Sequence, residues 1–410
     1  MIAYIVSLFP VLRETFISRE IVELERRGIE VLVVSLRPGG QSVGERERPK
    51  ATVLHAPYCS RAVLAGAGAE FGRHPLRVMR EIWYITRELA ARPRRVLKFL
   101  VVVPKSLYLA GLFRRKGVRH VHAHWATVPT TCALFISRLC EVPYSFSAHA
   151  WDIFTEGNEL LLAEKMAQAE RVFVCTRFSR ERLIALGGSG EKIELMYHGI
   201  EMDRYAFVAD KSLAPPLVVA GGSLTPQKGL DDLLAALGRL RRQGVEFRAK
   251  IFGEGPEHGR LAKMAREEGL EEWLQFIGTL QHEAVIGLMQ EAAVFVMPSK
   301  AGGGGYTDGL PNVVAEAMAC GAAVVGTRFA GIPELIEDGR TGILAAAGDP
   351  VGLAEGIGRC LGDRVLRARL AAAARATVEV VFDVRKNVRP LADYFQRVLS
   401  DTSRPGFVSR

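Results

Sequence analysis

The chain has 410 residues, 49% of them hydrophobic and 24% charged, which excludes a disordered or fibrous protein and leaves room for two domains of about 200 residues each. Its six cysteines, Cys59, Cys132, Cys140, Cys175, Cys320 and Cys360, lie in apolar runs without a C-x-x-C pair; that excludes zinc and disulfide frameworks and fits free thiols in a reducing compartment. Against a formal charge of +9, the segment from Phe71 to Lys116 holds twelve basic and two acidic residues, a net +10 that leaves −1 for the rest; nucleic-acid proteins spread their cations and interleave stacking aromatics, so no nucleic-acid partner is expected.

In chain order, short apolar, β-branched runs alternate with amphipathic stretches. The opening M-I-A-Y-I-V-S-L-F-P has no basic leader and meets Arg13, Glu14, Arg19 and Glu20 at once, so it reads as a buried strand, Ala3 to Leu8, and not as a signal peptide. A helix from Glu14 to Arg27 and a strand from Val31 to Leu36 follow. In the basic segment Val78, Ile82, Ile85 and Leu89 share one helical face, with Arg77, Arg80, Glu81, Arg87 and Glu88 opposite; Val96 to Phe113 adds an apolar run broken by Lys98, Pro104 and Lys105. Such a helix beside such a run can rest on an anionic membrane surface, or be a domain helix with solvated arginines. No uncharged apolar run reaches about 18 residues, so no membrane span is expected.

Strands from His120 to His124, Tyr144 to Ala148, Val172 to Thr176 and Ile193 to Tyr197 come next, with helices from Thr130 to Cys140 and Ser179 to Leu186. Periodicity lapses between Glu201 and Pro216, which reads as an interdomain linker. A second series then runs through strands at Leu217 to Ala220, Phe247 to Phe252, Leu274 to Ile277, Val294 to Met297 and Ala323 to Gly326. Helices begin at Gly229, Glu257, Glu283 and Gly352, and a last amphipathic piece spans Val384 to Leu399. This punctuation predicts an α/β protein of two doubly wound, Rossmann-like domains, 1–200 and 217–380, with a ligand cleft between the carboxyl ends of their sheets.

Residues 299 to 321, S-K-A-G-G-G-G-Y-T-D-G-L-P-N-V-V-A-E-A-M-A-C-G, place a glycine-rich loop and a helix start after an apolar strand. Pro311 suits the first position of a helix, which leaves the amides of Asn312 and Val313 at the positive end of its dipole as a seat for phosphate or carboxylate. Asp308 lies in the loop and Glu316 inside the helix; carboxylates beside an anion seat make sense as acceptors for sugar or ribose hydroxyls. The bland reading is an inert loop and a solvated Glu316. G-G-S-L-T-P-Q-K-G-L, residues 221 to 230, follows a strand and opens a helix, with Lys228 placed to neutralise a phosphate or to face solvent. Gly253, Gly255 and Gly278 lack a side chain and so let another group approach the backbone closely.

In the first half, R-H-V-H-A-H-W puts His120, His122 and His124 on one side of a strand. With His149 and Asp152 they could be the metal ligands of a hydrolase, against which stand the second β/α series and the lack of another metal-spaced cluster. His149, in Y-S-F-S-A-H-A-W-D-I-F, emerges at the carboxyl end of a strand.

D-G-L-P-N-V-V-A-E-A-M-A-C-G resembles the E-x7-E signature of the large retaining glycosyltransferase family four, with Asp308 in place of the first Glu, and the similar motifs together span residues 217 to 350. S-L-F-P-V-L-R-E-T-F-I-S-R-E-I is similar to the opening of a subgroup tied to exopolysaccharide assembly, colanic-acid-type transferases included, with Arg13 where that subgroup prefers Ser. The resemblance implies the glycosyltransferase-B fold, with two Rossmann-like domains facing across a cleft and the final helix, in 381–410, crossing back to the first. It implies transfer of a sugar from a nucleoside diphosphate sugar to a glycan or lipid-linked acceptor in cell-surface polysaccharide biosynthesis. The expected location is cytoplasmic, on the inner face of the membrane where residues 71–116 touch it.

By the same resemblance Lys228 clamps the donor diphosphate, while Ser223 stands where the family's G-R-x4-K-G carries a second cation. Gly253, Gly255 and Gly278 border the nucleotide pocket, Gly309, Leu310, Asn312 and Val313 receive the diphosphate, Glu316 binds ribose and Asp308 the donor sugar. His149 closes the site as the catalytic group of the first domain. Glu14, Thr15, His122, His124 and Trp125 are acceptor-side candidates; helix capping is the alternative for the first two, and His120 reads as a core histidine. With no D-x-D in the chain, neither a metal nor a cofactor is expected. A nucleotide-sugar epimerase or phosphorylase of the same fold, or a non-catalytic glycan-binding relative, is the alternative function.

Overall fold

The computed structural model describes residues 1–11, 14–39, 48–55, 60–155, 157–158, 161–209, 211, 214–303, 307 and 309–401. The chain forms two compact units, one of Met1–Met196 with the chain from Val388 onward, the other of Tyr197–Asn387.

In the first unit the strands are β1 (Ile2–Val6), β2 (Val31–Ser35), β3 (Thr52–His55), β4 (His120–His124), β5 (Tyr144–Ala148), β6 (Arg171–Val174) and β7 (Ile193–Leu195). They pair in parallel in the order β3-β2-β1-β4-β5-β6-β7. The helices are α1 (Thr15–Arg26), α2 (Arg61–Arg73), α3 (Pro75–Glu88), α4 (Pro93–Arg115), α5 (Val128–Cys140), α6 (Trp151–Phe154), α7 (Leu162–Gln168) and α8 (Arg177–Ala185). β1 reads I-A-Y-I-V without polar alternation because both of its faces are covered, and all five residues are buried. α8 begins where the Thr176 hydroxyl accepts the Ser179 amide, a local stop-and-start the sequence dictates.

The second unit has β8 (Leu217–Gly221), β9 (Arg248–Phe252), β10 (Leu274–Gly278), β11 (Val294–Met297), β12 (Ala323–Thr327) and β13 (Ile343–Ala345), parallel in the order β10-β9-β8-β11-β12-β13. Its helices are α9 (Leu230–Arg242), α10 (His258–Glu267), α11 (His282–Glu291), α12 (Asn312–Ala319), α13 (Pro350–Gly362), α14 (Arg364–Val381) and α15 (Val384–Asn387). Asp349 and Asp363 cap α13 and α14 through their carboxylates.

Each sheet reverses its strand order once, between β1 and β4 and between β8 and β11. In open parallel sheets ligands bind beyond the carboxyl ends of the strands at such a switch point. The last helix, α16 (Arg389–Ser400), belongs to the first unit: Leu391, Phe395 and Val398 are buried, the Phe395 ring lies 5.5 Å from that of His122, and the Tyr394 hydroxyl donates to Glu170.

Several expectations change. Met202 and Tyr205, in the stretch that reads as a linker, belong to the core of the second unit. Pro311 is the residue before α12, with ψ 119°, and Asn312 is the first helical residue. α4 does contain a window, Val96–Arg115, long and apolar enough to cross a membrane by length and composition, with a mean hydropathy of 1.7. Some 56% of that window is buried; Leu109, Ala110 and Phe113 belong to the core, and the Lys105 ammonium, whose pKa burial lowers to about 8, donates to the Leu36 carbonyl at 2.6 Å. Glu81, expected on the solvated face of α3, is buried because Arg138 of α5 reaches it at 3.0 Å.

Candidate functional site

In the first unit the candidate side chains gather at the carboxyl ends of β1, β4 and β5. Trp125 leaves β4 with a φ of 76°, a left-handed conformation rare for a bulky residue. Its amide donates to the Ser147 carbonyl, and its indole N–H points to Glu14 at 3.4 Å. Glu14 holds the N-cap position of α1 but makes no capping bond; burial pushes its carboxyl up, opposed by the Trp125 bond. Thr15 opens α1 beside it, half-buried. The ring of His149 lies 4.5 Å from that of Trp125 and 5.6 Å from that of His124, stacked on the latter at 10°.

A chain of polar contacts runs inward from His149. Its Nε2 faces Nδ1 of His124 at 3.3 Å, His124 Nε2 faces Oε1 of Glu20 at 3.0 Å, and the Tyr4 hydroxyl donates to that same oxygen at 2.8 Å. Where Glu20 accepts and both imidazoles are neutral, the donor order follows. Glu20 can only accept, so His124 Nε2 carries the proton and its Nδ1 accepts; His149 Nε2 then donates, leaving Nδ1 as the acceptor nitrogen of His149.

His122 is wholly buried, bonded through both ring nitrogens to the hydroxyls of Ser145 and Ser147, and burial lowers its pKa well below the usual imidazole range, so it stays neutral. It offers no surface to an acceptor. His120, also buried, lies 2.8 Å from the Ser145 hydroxyl, as expected of a core histidine. Glu20, His122 and His124 each bring a ligand atom within 4.8 Å of the others, a spacing a metal ion could use; their nitrogens and oxygens are instead engaged by serines, Tyr4 and one another. Asp152, the other ligand in the hydrolase reading, holds backbone: its two oxygens accept the Ala126 amide at 2.6 Å and the His149 amide at 2.9 Å, while burial raises its pKa to about 6.

In the second unit three loops interlock at the carboxyl ends of β8, β9 and β10. The Gly222 amide donates to Phe252, that of Leu224 to Glu254, and that of Gly253 to Gly278. A Cβ on Gly253, whose φ is 109°, would overlap the Gly222 carbonyl, and one on Gly255 would overlap that of Leu224; one on Gly278 would sit 3.3 Å from the Glu254 carboxylate. These glycines therefore let loops close on each other, where the sequence reading had them facing a base. Lys228 ends a single 3-10 turn, Pro226–Lys228, and its Nζ lies 3.8 Å from where a Gly222 Cβ would be, along the turn that leaves β8. Ser223, half-buried in that turn, offers no positive charge, and the nearby Lys300 ammonium is committed to Asp231 at 2.9 Å and Asp232 at 3.0 Å.

Across the β8–β11 switch point, α12 opens at Asn312 and Val313. The Gly309 carbonyl accepts from Gly331, Leu310 is buried, and Asn312 Oδ1 lies 3.3 Å from the His198 ring. Glu316 is buried and accepts the Tyr205 hydroxyl at 3.2 Å; the same hydroxyl lies 3.0 Å from His282. Asp308 lies outside the described residues.

Sequence reasoning did not single out Tyr4, Glu20, His198, Tyr205 or His282 as site residues. Glu20 carried a signal: it shares the buried face of α1 with Ile17, Ile21 and Leu24, and an acid at a core position needs a partner. An open cavity of about 930 Å³ lined by Glu170, Arg171, Tyr394 and Arg397 sits at the amino end of β6, the opposite end from these groups.

The family model for glycosyltransferase family 4 matches residues 14–204, and that for glycosyl transferases group 1 matches 202–377. The amylovoran biosynthesis glycosyltransferase AmsK of Erwinia amylovora is 33% identical over 233 residues, 57% of each chain, so the match spans little more than half of that relative. The GDP-mannose-dependent α-(1-6)-phosphatidylinositol monomannoside mannosyltransferase of Mycolicibacterium smegmatis is 32% identical over 365 residues, 81% of this chain and 87% of that one. Among solved structures, Anabaena HepE in complex with UDP superposes with a TM-score of 0.73 at 19% identity, covering 97% of this chain and 99% of that chain, which is a likeness of fold. With two sheets of the glycosyltransferase-B type and a relative this similar over most of its length, the chain belongs to glycosyltransferase family 4.

Proposed function

We propose that the protein is a retaining, metal-independent hexosyltransferase that moves a sugar from a nucleoside diphosphate sugar to a hydroxyl of a glycan or lipid-linked acceptor in cell-surface polysaccharide biosynthesis, on the cytoplasmic side of the membrane. The observation that carries this is the Lys228 ammonium lying along the Gly222 turn at the β8–β11 switch point, where α12 opens at Asn312. A cation and a helix's leading amides favour negative charge, and a diphosphate gains it as it departs. Glu316, oriented by Tyr205, is the acceptor for ribose hydroxyls. Asp308 is assigned to the donor sugar. His149 is assigned to a hydroxyl of the donor sugar near the reacting carbon. Trp125 and Glu14, joined to each other, are the acceptor-side pair.

The relatives supply the choice of donors: one is GDP-mannose-dependent and HepE was solved with UDP. A thermal-shift panel of uridine, guanosine and adenosine diphosphates identifies the base, since a ligand at 100 times its Kd adds about 2.7 kcal/mol of stability. Acceptor-dependent release of that diphosphate from its sugar conjugate, with the anomeric configuration kept in the product by NMR, is the expected result. Diphosphate release that does not depend on the acceptor would favour the epimerase or phosphorylase alternative, and binding without turnover a glycan-binding relative.

A further inference from the structure

α3 and the first half of α4 present an outward face unlike the rest of the surface. Of fourteen exposed large hydrophobic side chains among the described residues, six fall between Leu76 and Val101, a concentration beyond the scattered exposure normal for a monomer. On α3 they follow helical spacing: Leu76, Met79 and Trp83 line one stripe with Arg80 and Arg87, and the Arg87 guanidinium lies 5.4 Å from the Trp83 ring. On α4, Leu97, Leu100 and Val101 repeat the pattern beside Arg94 and Lys98. The opposite faces are spoken for, because Val78, Ile85 and Leu89 pack with Phe99 and Val103 of α4 and Phe135 of α5.

Charge on this face is one-sided. Glu81 is buried against Arg138, and just upstream Glu70 is buried and paired to Arg73 and Arg114, so Glu88 is the one exposed acid from Pro75 to Val101 beside exposed Arg80, Arg87, Arg92, Arg94 and Lys98. We propose that this face docks on an anionic lipid bilayer, the apolar stripe entering the headgroup boundary and the arginines meeting lipid phosphates. Aliphatic side chains and a tryptophan interleaved with arginines match both layers of an interface between headgroups and acyl chains, and the one-sided positive charge matches lipid phosphates. α4 lies on the bilayer and does not cross it, since Lys105, Leu109, Ala110 and Phe113 in its second half are held in the core.

The full chain is centrifuged with vesicles of equal parts phosphatidylglycerol and phosphatidylcholine, and with phosphatidylcholine alone, at low and high salt. Pelleting with the anionic vesicles only, reversed by salt, is expected, and Arg80→Glu with Arg87→Glu should lower the partition coefficient at least tenfold. Met79→Ser with Trp83→Ser should lower it comparably at low salt, which charge attraction alone would not produce. Circular dichroism melts matching the parent confirm that these exposed substitutions leave the fold intact. No pelleting at low salt, or equal binding to both vesicles, overturns the proposal. So does a concentration-dependent dimer that Trp83→Ser dissolves without any vesicle binding, which would give the face to a second copy.

Discussion

In the proposed reaction Lys228 is the cation assigned to the leaving diphosphate, since Ser223 carries no charge and Lys300 is held by two aspartates. A hydrogen bond to a charged group contributes about 1.5–3 kcal/mol, so Lys228→Ala should lower turnover by about 10- to 150-fold. Steady-state kinetics with the donor found by thermal shift checks this, and an unchanged rate removes Lys228 from the site. In the other unit the residue of interest is Glu20, two contacts away from His149. Its Oε1 lies 3.0 Å from His124 Nε2, whose Nδ1 faces His149 Nε2 at 3.3 Å, so an acceptor at Glu20 favours one tautomer of each ring. Imidazole nitrogen-15 NMR at about pH 8 should find His149 protonated on Nε2 in the parent and in Glu20→Gln, which keeps an acceptor oxygen. Glu20→Met, which does not, should give a mixture. The sequence named His149 and His124 from their positions on strands, but the link through Glu20 was not legible, because residues 104 apart meet only through the pairing of β1 with β4.

At the level of elements, turns are where sequence and structure part. The strands at His120–His124, Tyr144–Ala148 and Val294–Met297 were legible to the residue: V-F-V-M is a continuous apolar run, and H-V-H-A-H and Y-S-F-S-A alternate with the two-residue period of a strand. The reason for the glycines was not: a glycine reads the same whether a base or a neighbouring loop approaches it. Gly253 combines a φ of 109° with a carbonyl where its Cβ would be, so Gly253→Ala should cost about 2 kcal/mol or more, in the range of strained backbone. Gly259, near the start of α10, has open space around it and no positive φ; Gly259→Ala should be neutral or stabilise by about 0.4–1 kcal/mol. Urea melts of the two variants separate loop packing from a general intolerance of side chains in this unit. If Gly253→Ala melts with the parent, the loops do not interlock as described.

Over the whole chain, two β/α series were legible from periodicity and the returning helix from the family resemblance, whereas the extent of the second unit was not. Tyr205 looks like linker because it lacks local periodicity, and it is core because its hydroxyl meets Glu316 and His282 from distant helices. The return of the chain to the first unit has a testable energetic consequence. α16 buries Leu391, Phe395 and Val398, and at about 1.5–3 kcal/mol per side chain their removal costs about 4.5–9 kcal/mol, much of the roughly 5–15 kcal/mol that holds a domain folded. Ending the chain after Asn387 should therefore unfold the first unit at room temperature or nearly so. Trp83, Trp125 and Trp151 lie in that unit and Trp273 in the other, so fluorescence in a Trp273→Phe background reports the first unit alone. Its urea transition should collapse toward zero denaturant in the truncated chain, while Trp273, followed with the other three replaced by Phe, keeps a transition of its own. A first-unit transition unmoved by the truncation would mean that α16 is a passenger on that sheet and that the unit is complete at Met196.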